Sequence, residues 1–141
     1  MLTNELRDQL IQIAQHSRRW AYAPYSNYPV GAALLTTSGR IYEGVNVENA
    51  AYPTGMCAER VAVFKAISEG ERQFEAIAVV TRNGGTPCGA CRQVLAEFGQ
   101  DTIVLIVNDA GQILQETPIG NLLPSAFGPN DLNENSHQGV K

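Results

Sequence analysis

The apolar residues change period several times along the chain, and those changes divide it into elements. Over residues 4–21, Leu6, Leu10, Ile13, Ala14 and Ser17 recur at helical spacing with charged residues between them, which predicts an amphipathic helix. Pro24 stops it, and Ala23-Pro24-Tyr25-Ser26-Asn27 reads as a loop. Two β-rich runs, 30–37 and 40–47, flank Ser38-Gly39 and form a hairpin pattern. Residues 48–56 have no period and contain Pro53 and Gly55, so they form a loop. A helix is predicted over 57–69, with Val61, Phe64, Lys65 and Ser68 on related faces and Gly70 at its stop.

The second half continues the alternation. Residues 74–81 are rich in Ile and Val and predict a strand. A Gly-Gly loop leads to a helix over 88–98, stopped by Gly99. The nearly unbroken apolar run 102–108 predicts a buried strand, and a further strand is centred on 113–116. Thr117-Pro118 resembles a helix cap followed by a first-turn proline, opening a short helix to Leu123. The order α-β-β-α-β-α-β-β-α predicts an α/β fold, a three-layer α-β-α sandwich around a mixed five-stranded sheet.

Length and composition narrow this further. With 141 residues, 44% of them hydrophobic, the chain fits a single domain over 1–130. Residues 131–141 read as a polar, flexible tail. Ten basic against 14 acidic residues give a formal charge of −4. That argues against a nucleic-acid partner, whose phosphates would demand a basic surface. A small neutral ligand is compatible with it. Residues 1–20 mix charges with apolar positions, unlike a signal peptide. No apolar run approaches the roughly 20 residues of a membrane-spanning helix. The expectation is a cytoplasmic protein with no membrane partner. An odd count of three cysteines agrees, pointing to metal or catalytic use rather than disulfides.

Those cysteines carry the candidate chemistry. Cys88 and Cys91 form C-x-x-C after Pro87, and Cys57 lies upstream in Cys57-Ala58-Glu59. Each segment opens a predicted helix. C-x-x-C on a first helical turn points two sulfurs to one side, as tetrahedral zinc requires. The unpaired N–H groups and positive dipole end of a helix favour the thiolate. Three thiolates leave the fourth position open, which distinguishes a catalytic from a structural zinc. Singly, these features have plainer readings. C-x-x-C also suits a redox pair or part of a structural zinc site, and a lone cysteine suits a small buried hydrophobe. Together with Glu59 they match the zinc-deaminase signature, in which Cys or His, any residue and Glu precede P-C-x-x-C. Zinc with three thiolates carries a net negative charge, which weakens its Lewis acidity. Arg60 is the candidate donor to the sulfurs, although an exposed helix arginine would look the same in sequence.

Beyond the metal motif, the chain resembles the homotetrameric cytidine deaminases over residues 4–132. The resemblance rests on Ala23-Pro24-Tyr25-Ser26, Pro29-Val30-Gly31-Ala32-Ala33-Leu34, Gly44-Val45-Asn46-Val47-Glu48-Asn49-Ala50, Cys57-Ala58-Glu59-Arg60, Pro87-Cys88-Gly89-Ala90-Cys91-Arg92-Gln93 and Leu122-Leu123-Pro124-Ser125-Ala126-Phe127-Gly128. It implies one zinc per subunit on Cys57, Cys88 and Cys91, with Glu59 as acid and base. Arg60 would donate to the thiolates. Asn46 and Glu48 would bind the ribose hydroxyls, and backbone groups of Ala58 and Cys88 the pyrimidine edge. Phe127 would cover the base of a neighbouring subunit, so that active sites are shared in a homotetramer. The family usually has Phe where this chain has Tyr28, which adds a hydroxyl that needs a partner. The implied activity is hydrolytic deamination of cytidine and deoxycytidine in pyrimidine salvage. The alternatives are a deaminase of a cytosine nucleoside analogue of the blasticidin type and a non-catalytic zinc-stabilised domain.

Overall fold

The structure, a computed structural model, describes residues 2–132. Helix α1 (Asn4–Ser17) starts where the Thr3 side chain accepts the Leu6 N–H at 3.1 Å. It ends earlier than the pattern suggests, and Arg18–Trp20 continue it as a 3-10 turn. Strands β1 (Gly31–Thr36) and β2 (Ile41–Val45) form the expected antiparallel hairpin. Then follow α2 (Ala58–Ser68), β3 (Phe74–Val80), α3 (Gly89–Glu97), β4 (Ile103–Val107) and β5 (Ile113–Pro118). Two four-residue helices, α4 (Ile119–Leu122) and α5 (Pro129–Leu132), close the described chain.

The sheet order is β2-β1-β3-β4-β5. Only β3 and β4 run parallel, joined by a crossover through α3, so the sheet is mixed as predicted. Its central strands are covered on both faces, and their side chains therefore divide by parity. Ala33, Leu35, Ala78, Val80, Leu105 and Val107 meet Leu10, Ile11 and Ala14 of α1. Ala32, Leu34, Ile77, Val79, Val104 and Ile106 meet Ala58, Ala62 and Val63 of α2 and Leu95 of α3. These two cores are the interfaces of the three predicted layers.

Helix α2 lies close to the hairpin because both surfaces are small. A Cβ on Gly44 would overlap the backbone of Ala58 and Ala62. The buried face of the helix is Ala58, Glu59, Ala62, Val63 and Ala66. Val61, Phe64, Lys65 and Ser68 lie on the other side, where Phe64 is exposed. The close approach anchors the first turn of α2, which carries Glu59.

The sequence reading needs correction at residues 117–118. Thr117-Pro118 is the end of β5, with Thr117 opposite Val104 and Pro118 opposite Ile103. The N-cap of α4 is Pro118, one residue later than the pattern placed it and without a side-chain cap bond. β5 is an edge strand, where the missing N–H of proline forfeits no ladder bond. The tail boundary expected at residue 131 falls inside α5, a turn with too little apolar pattern to be seen in sequence. There the Asp131 carboxylate accepts the Gly128 N–H at 2.8 Å. The rest of the expected tail, 133–141, lies outside the described residues. Among the described residues no helix is long and apolar enough to cross a membrane.

Candidate metal centre and its cleft

The first turns of α2 and α3 converge at one end of the sheet. Cys57 and Cys88 are not the first helical residues, as the pattern suggested, but the N-caps, with extended backbone and no side-chain cap bond. Each thiol thus occupies the place where a Ser or Asp side chain would accept the free N–H groups of the turn. Cys91 follows one turn along α3. Cys57 Sγ stands 3.8 Å from Cys88 Sγ, and Cys88 Sγ stands 3.4 Å from Cys91 Sγ. All three sulfurs lie within 4.8 Å of one another. A tetrahedral zinc with bonds of about 2.3 Å to sulfur needs sulfurs about 3.8 Å apart. The donor set and its spacing therefore fit zinc.

Electrostatics explains why the three thiols need a cation. The Cys57 thiol is pulled down to about 5, first by a hydrogen bond from the Cys91 thiol and then by Arg60, against the effect of burial. Cys91 is pushed far up, first by its interaction with the Cys57 sulfur, with burial and the Glu59 charge adding to this. One thiolate thus suppresses its neighbour, and a divalent cation would release the Cys91 proton. The Arg60 guanidinium donates to Cys57 Sγ at 3.3 Å. Its Nε is buried and has no hydrogen-bond partner among the described residues. That orphaned N–H beside the sulfurs favours an electron-rich site.

Glu59 is 5% exposed. Burial pushes its carboxyl up to about 7, helped by the Cys57 charge and opposed by its own backbone N–H and Arg60. It opens into a cleft of about 590 Å³ that is also lined by Tyr28, Asn46, Glu48, Ala58 and Cys88. A volume of this size suits a small molecule. The structure thus brings together every site residue read from sequence except Phe127. Phe127 is 57% exposed and lies elsewhere on the chain, its carbonyl accepting Gln93 Nε2 at 2.7 Å.

Asn46 and Glu48 both turn toward the loop before β1. Asn46 Oδ1 accepts the Val30 N–H, and its Nδ2 donates to the Tyr28 carbonyl, each at 2.9 Å. Glu48 accepts the N–H groups of Tyr25 and Ser26 at 3.0 and 3.1 Å and bonds the Ser26 hydroxyl. Those contacts, led by the Ser26 hydroxyl, hold its carboxyl below the usual range. The Tyr28 hydroxyl has a partner in Asn83 Oδ1 at 2.6 Å.

Sequence reasoning missed one residue with a clear part in the site. Arg92 donates to the Pro87 carbonyl at 2.7 Å, the Leu122 carbonyl at 2.8 Å and Thr86 Oγ1 at 3.0 Å. It grips the backbone that enters Cys88 and ties it to α4. In sequence it stood only as part of the Pro87–Gln93 motif, with no role read from it.

The chain is similar to known proteins. The cytidine and deoxycytidylate deaminase zinc-binding region matches residues 4–107. A cytidine deaminase of Halalkalibacterium halodurans is 50% identical over 131 residues, covering 91% of this chain and 98% of its own. One from Sporosarcina psychrophila is 47% identical over 133 residues, covering 93% and 98%. The crystal structure of cytidine deaminase from Burkholderia pseudomallei superposes with a TM-score of 0.81 at 47% identity, covering 89% of this chain and 100% of that one. A match of the zinc-binding region through both metal-bearing helices, with relatives alike nearly end to end, means that the chain belongs to the cytidine and deoxycytidylate deaminase family.

Proposed function

We propose that the protein hydrolyses cytidine and 2'-deoxycytidine to uridine and 2'-deoxyuridine, releasing ammonia, in pyrimidine salvage. The observation that carries this is three sulfurs at zinc-like spacing beside a buried carboxyl that opens into a small-molecule cleft. Cys57, Cys88 and Cys91 would hold one zinc per subunit. When bound, zinc supplies the Lewis acidity that makes a water nucleophilic near neutral pH.

Glu59 then moves the protons. It takes one from the attacking water and delivers it to N3 of the pyrimidine, which makes C4 electrophilic. The oxygen adds to C4. Glu59 carries the remaining hydroxyl proton to the exocyclic amine, the C4–N bond breaks and ammonia leaves. A carboxyl raised toward 7 both accepts and gives protons at neutral pH. Arg60, hydrogen-bonded to Cys57, offsets the surplus negative charge of three thiolates.

Glu48 and Asn46 are the proposed ribose contacts. A carboxylate has about four acceptor sites and an amide oxygen two, so each retains capacity beyond its loop contacts. Tyr28 and backbone groups of Ala58 and Cys88 would face the base. Phe127 would reach the site of a neighbouring subunit in a homotetramer. Its exposure supports that, as does the exposure of Trp20, Tyr52 and Phe64. The cysteines are all free of disulfides, which suits the cytoplasm.

The test is ammonia release from cytidine, deoxycytidine, a blasticidin-type analogue and a cytosine-containing single-stranded oligonucleotide. The free nucleosides should be the preferred substrates. Preference for the oligonucleotide or the analogue would overturn the substrate assignment, and light scattering at the monomer mass would overturn the tetramer.

A further inference from the structure

The loop 81–88 leaves β3 and ends on Cys88, the N-cap of α3. It is fastened to the loop before β1 at three points. The Tyr28 hydroxyl donates to Asn83 Oδ1 at 2.6 Å. The Arg82 guanidinium stands over the Tyr28 ring, 5.0 Å from its centroid. The same guanidinium donates to the Asn27 carbonyl at 2.9 Å. Inside the loop, the Gly85 N–H donates to Thr81 Oγ1 at 2.8 Å and holds the turn closed.

Gly85 gives this fastening a steric signature. A Cβ built there would overlap the Tyr28 hydroxyl. Gly85 is not among the glycines with positive φ, so its backbone would accept alanine. What excludes a side chain at Gly85 is the space taken by the hydroxyl. Tyr28 cannot easily give way, because Asn83 holds its oxygen and Arg82 covers its ring.

We infer that Tyr28 is a positioning residue seated by Asn83 and Gly85, and that this latch sets the cleft wall and the Cys88 loop as one unit. The nucleoside part of this inference rests on the proposed deaminase function. Tyr28 and Gly85 both line the cleft with Cys88. The hydroxyl spends its one proton on Asn83. A substrate therefore meets the ring of Tyr28 and not a hydrogen-bond donor. With phenylalanine at this position the ring would be free to shift, and the Cys88 loop would lose a tether.

A mutant cycle tests this on the zinc-loaded protein, using wild type, Tyr28→Phe, Gly85→Ala and the double variant, with Asn83→Ala as a fifth protein. Two quantities are read: KM and kcat for cytidine, and the rate at which zinc passes to a chromogenic chelator. Tyr28→Phe and Asn83→Ala should each raise KM by about two- to tenfold, the worth of one neutral hydrogen bond, with kcat little changed. Zinc release should quicken over the same range. Gly85→Ala should be worse than either, and adding Tyr28→Phe should bring it back to the Tyr28→Phe values. If Gly85→Ala does not fold, recovery of folded protein in the double variant supports the latch. Equal damage by Gly85→Ala in both backgrounds, or failure of both to fold, overturns it. So do wild-type KM and zinc release in Tyr28→Phe. Absence of cytidine turnover in the wild type would sink the deaminase reading alone, since the zinc-release cycle still reads the latch.

Discussion

Replacing Glu59 with glutamine removes a charge from a buried position and leaves the shape in place. The carboxyl is 5% exposed, and burial raises it from 4.5 to about 7. A raised acid is disfavoured in its ionised form in the folded chain, so stability is fully present below the unfolded value near 4.5. It is lost as pH rises through about 7. A shift of about two and a half units, at 1.36 kcal/mol each, corresponds to about 3 kcal/mol of stability lost by the metal-free protein across that window. Glutamine has no such cost. Denaturant unfolding of metal-free wild type and Glu59→Gln between pH 5 and 8 should therefore diverge, with the variant the more stable at the upper end. The zinc-loaded variant should keep its metal and lose about 10²–10⁴-fold in kcat, the range supplied by one positioned acid–base group. Parallel stability curves would refute the burial argument, and near-wild-type kcat in a zinc-replete variant would refute the role of Glu59.

Other substitutions test the surrounding design. Cys88→Ala should lose the metal, and a normal zinc stoichiometry by elemental analysis would show that the ligand set is wrong. Arg92→Met should weaken zinc binding about 10–100-fold, as expected when a group that orients a ligand is lost, and competition with a chelator would measure it. Arg92→Lys should recover little of this, because one ammonium cannot span the three acceptors. Zinc binding to the metal-free protein should release protons, since the Cys91 thiol is pushed up and stays protonated before the metal enters, and its affinity should fall as pH falls. Calorimetry in two buffers of different ionisation enthalpy would detect that release.

The metal centre was legible because its chemistry is local. Cys88 and Cys91 sit one helical turn apart, and Glu59 lies two residues after Cys57, so spacing alone brings the right groups to the starts of helices. The layers were legible for a similar reason, since the runs in β3 and β4 have no polar face and must be covered twice. What escaped depended on tertiary partners. The partners of Arg92 are carbonyls and a hydroxyl of residues 86, 87 and 122, for which no residue type is a marker. Thr117-Pro118 carries a cap signal, and edge pairing with β4 moves the cap one residue on, to Pro118. Asn46 and Glu48 were placed near the site by resemblance, while their bonds to Tyr25, Ser26, Tyr28 and Val30 depend on a loop that has no period. The place of Tyr28 could not be read until Asn83 and Gly85 were seen around it.

The most direct test of the account is cytidine turnover measured with zinc content on the same preparation. One zinc per chain, ammonia and uridine in equal amounts, loss of turnover on zinc removal and its return on zinc addition are the predicted results. A protein with one zinc per chain that releases no ammonia from cytidine or deoxycytidine, or one that deaminates them without zinc, would contradict it.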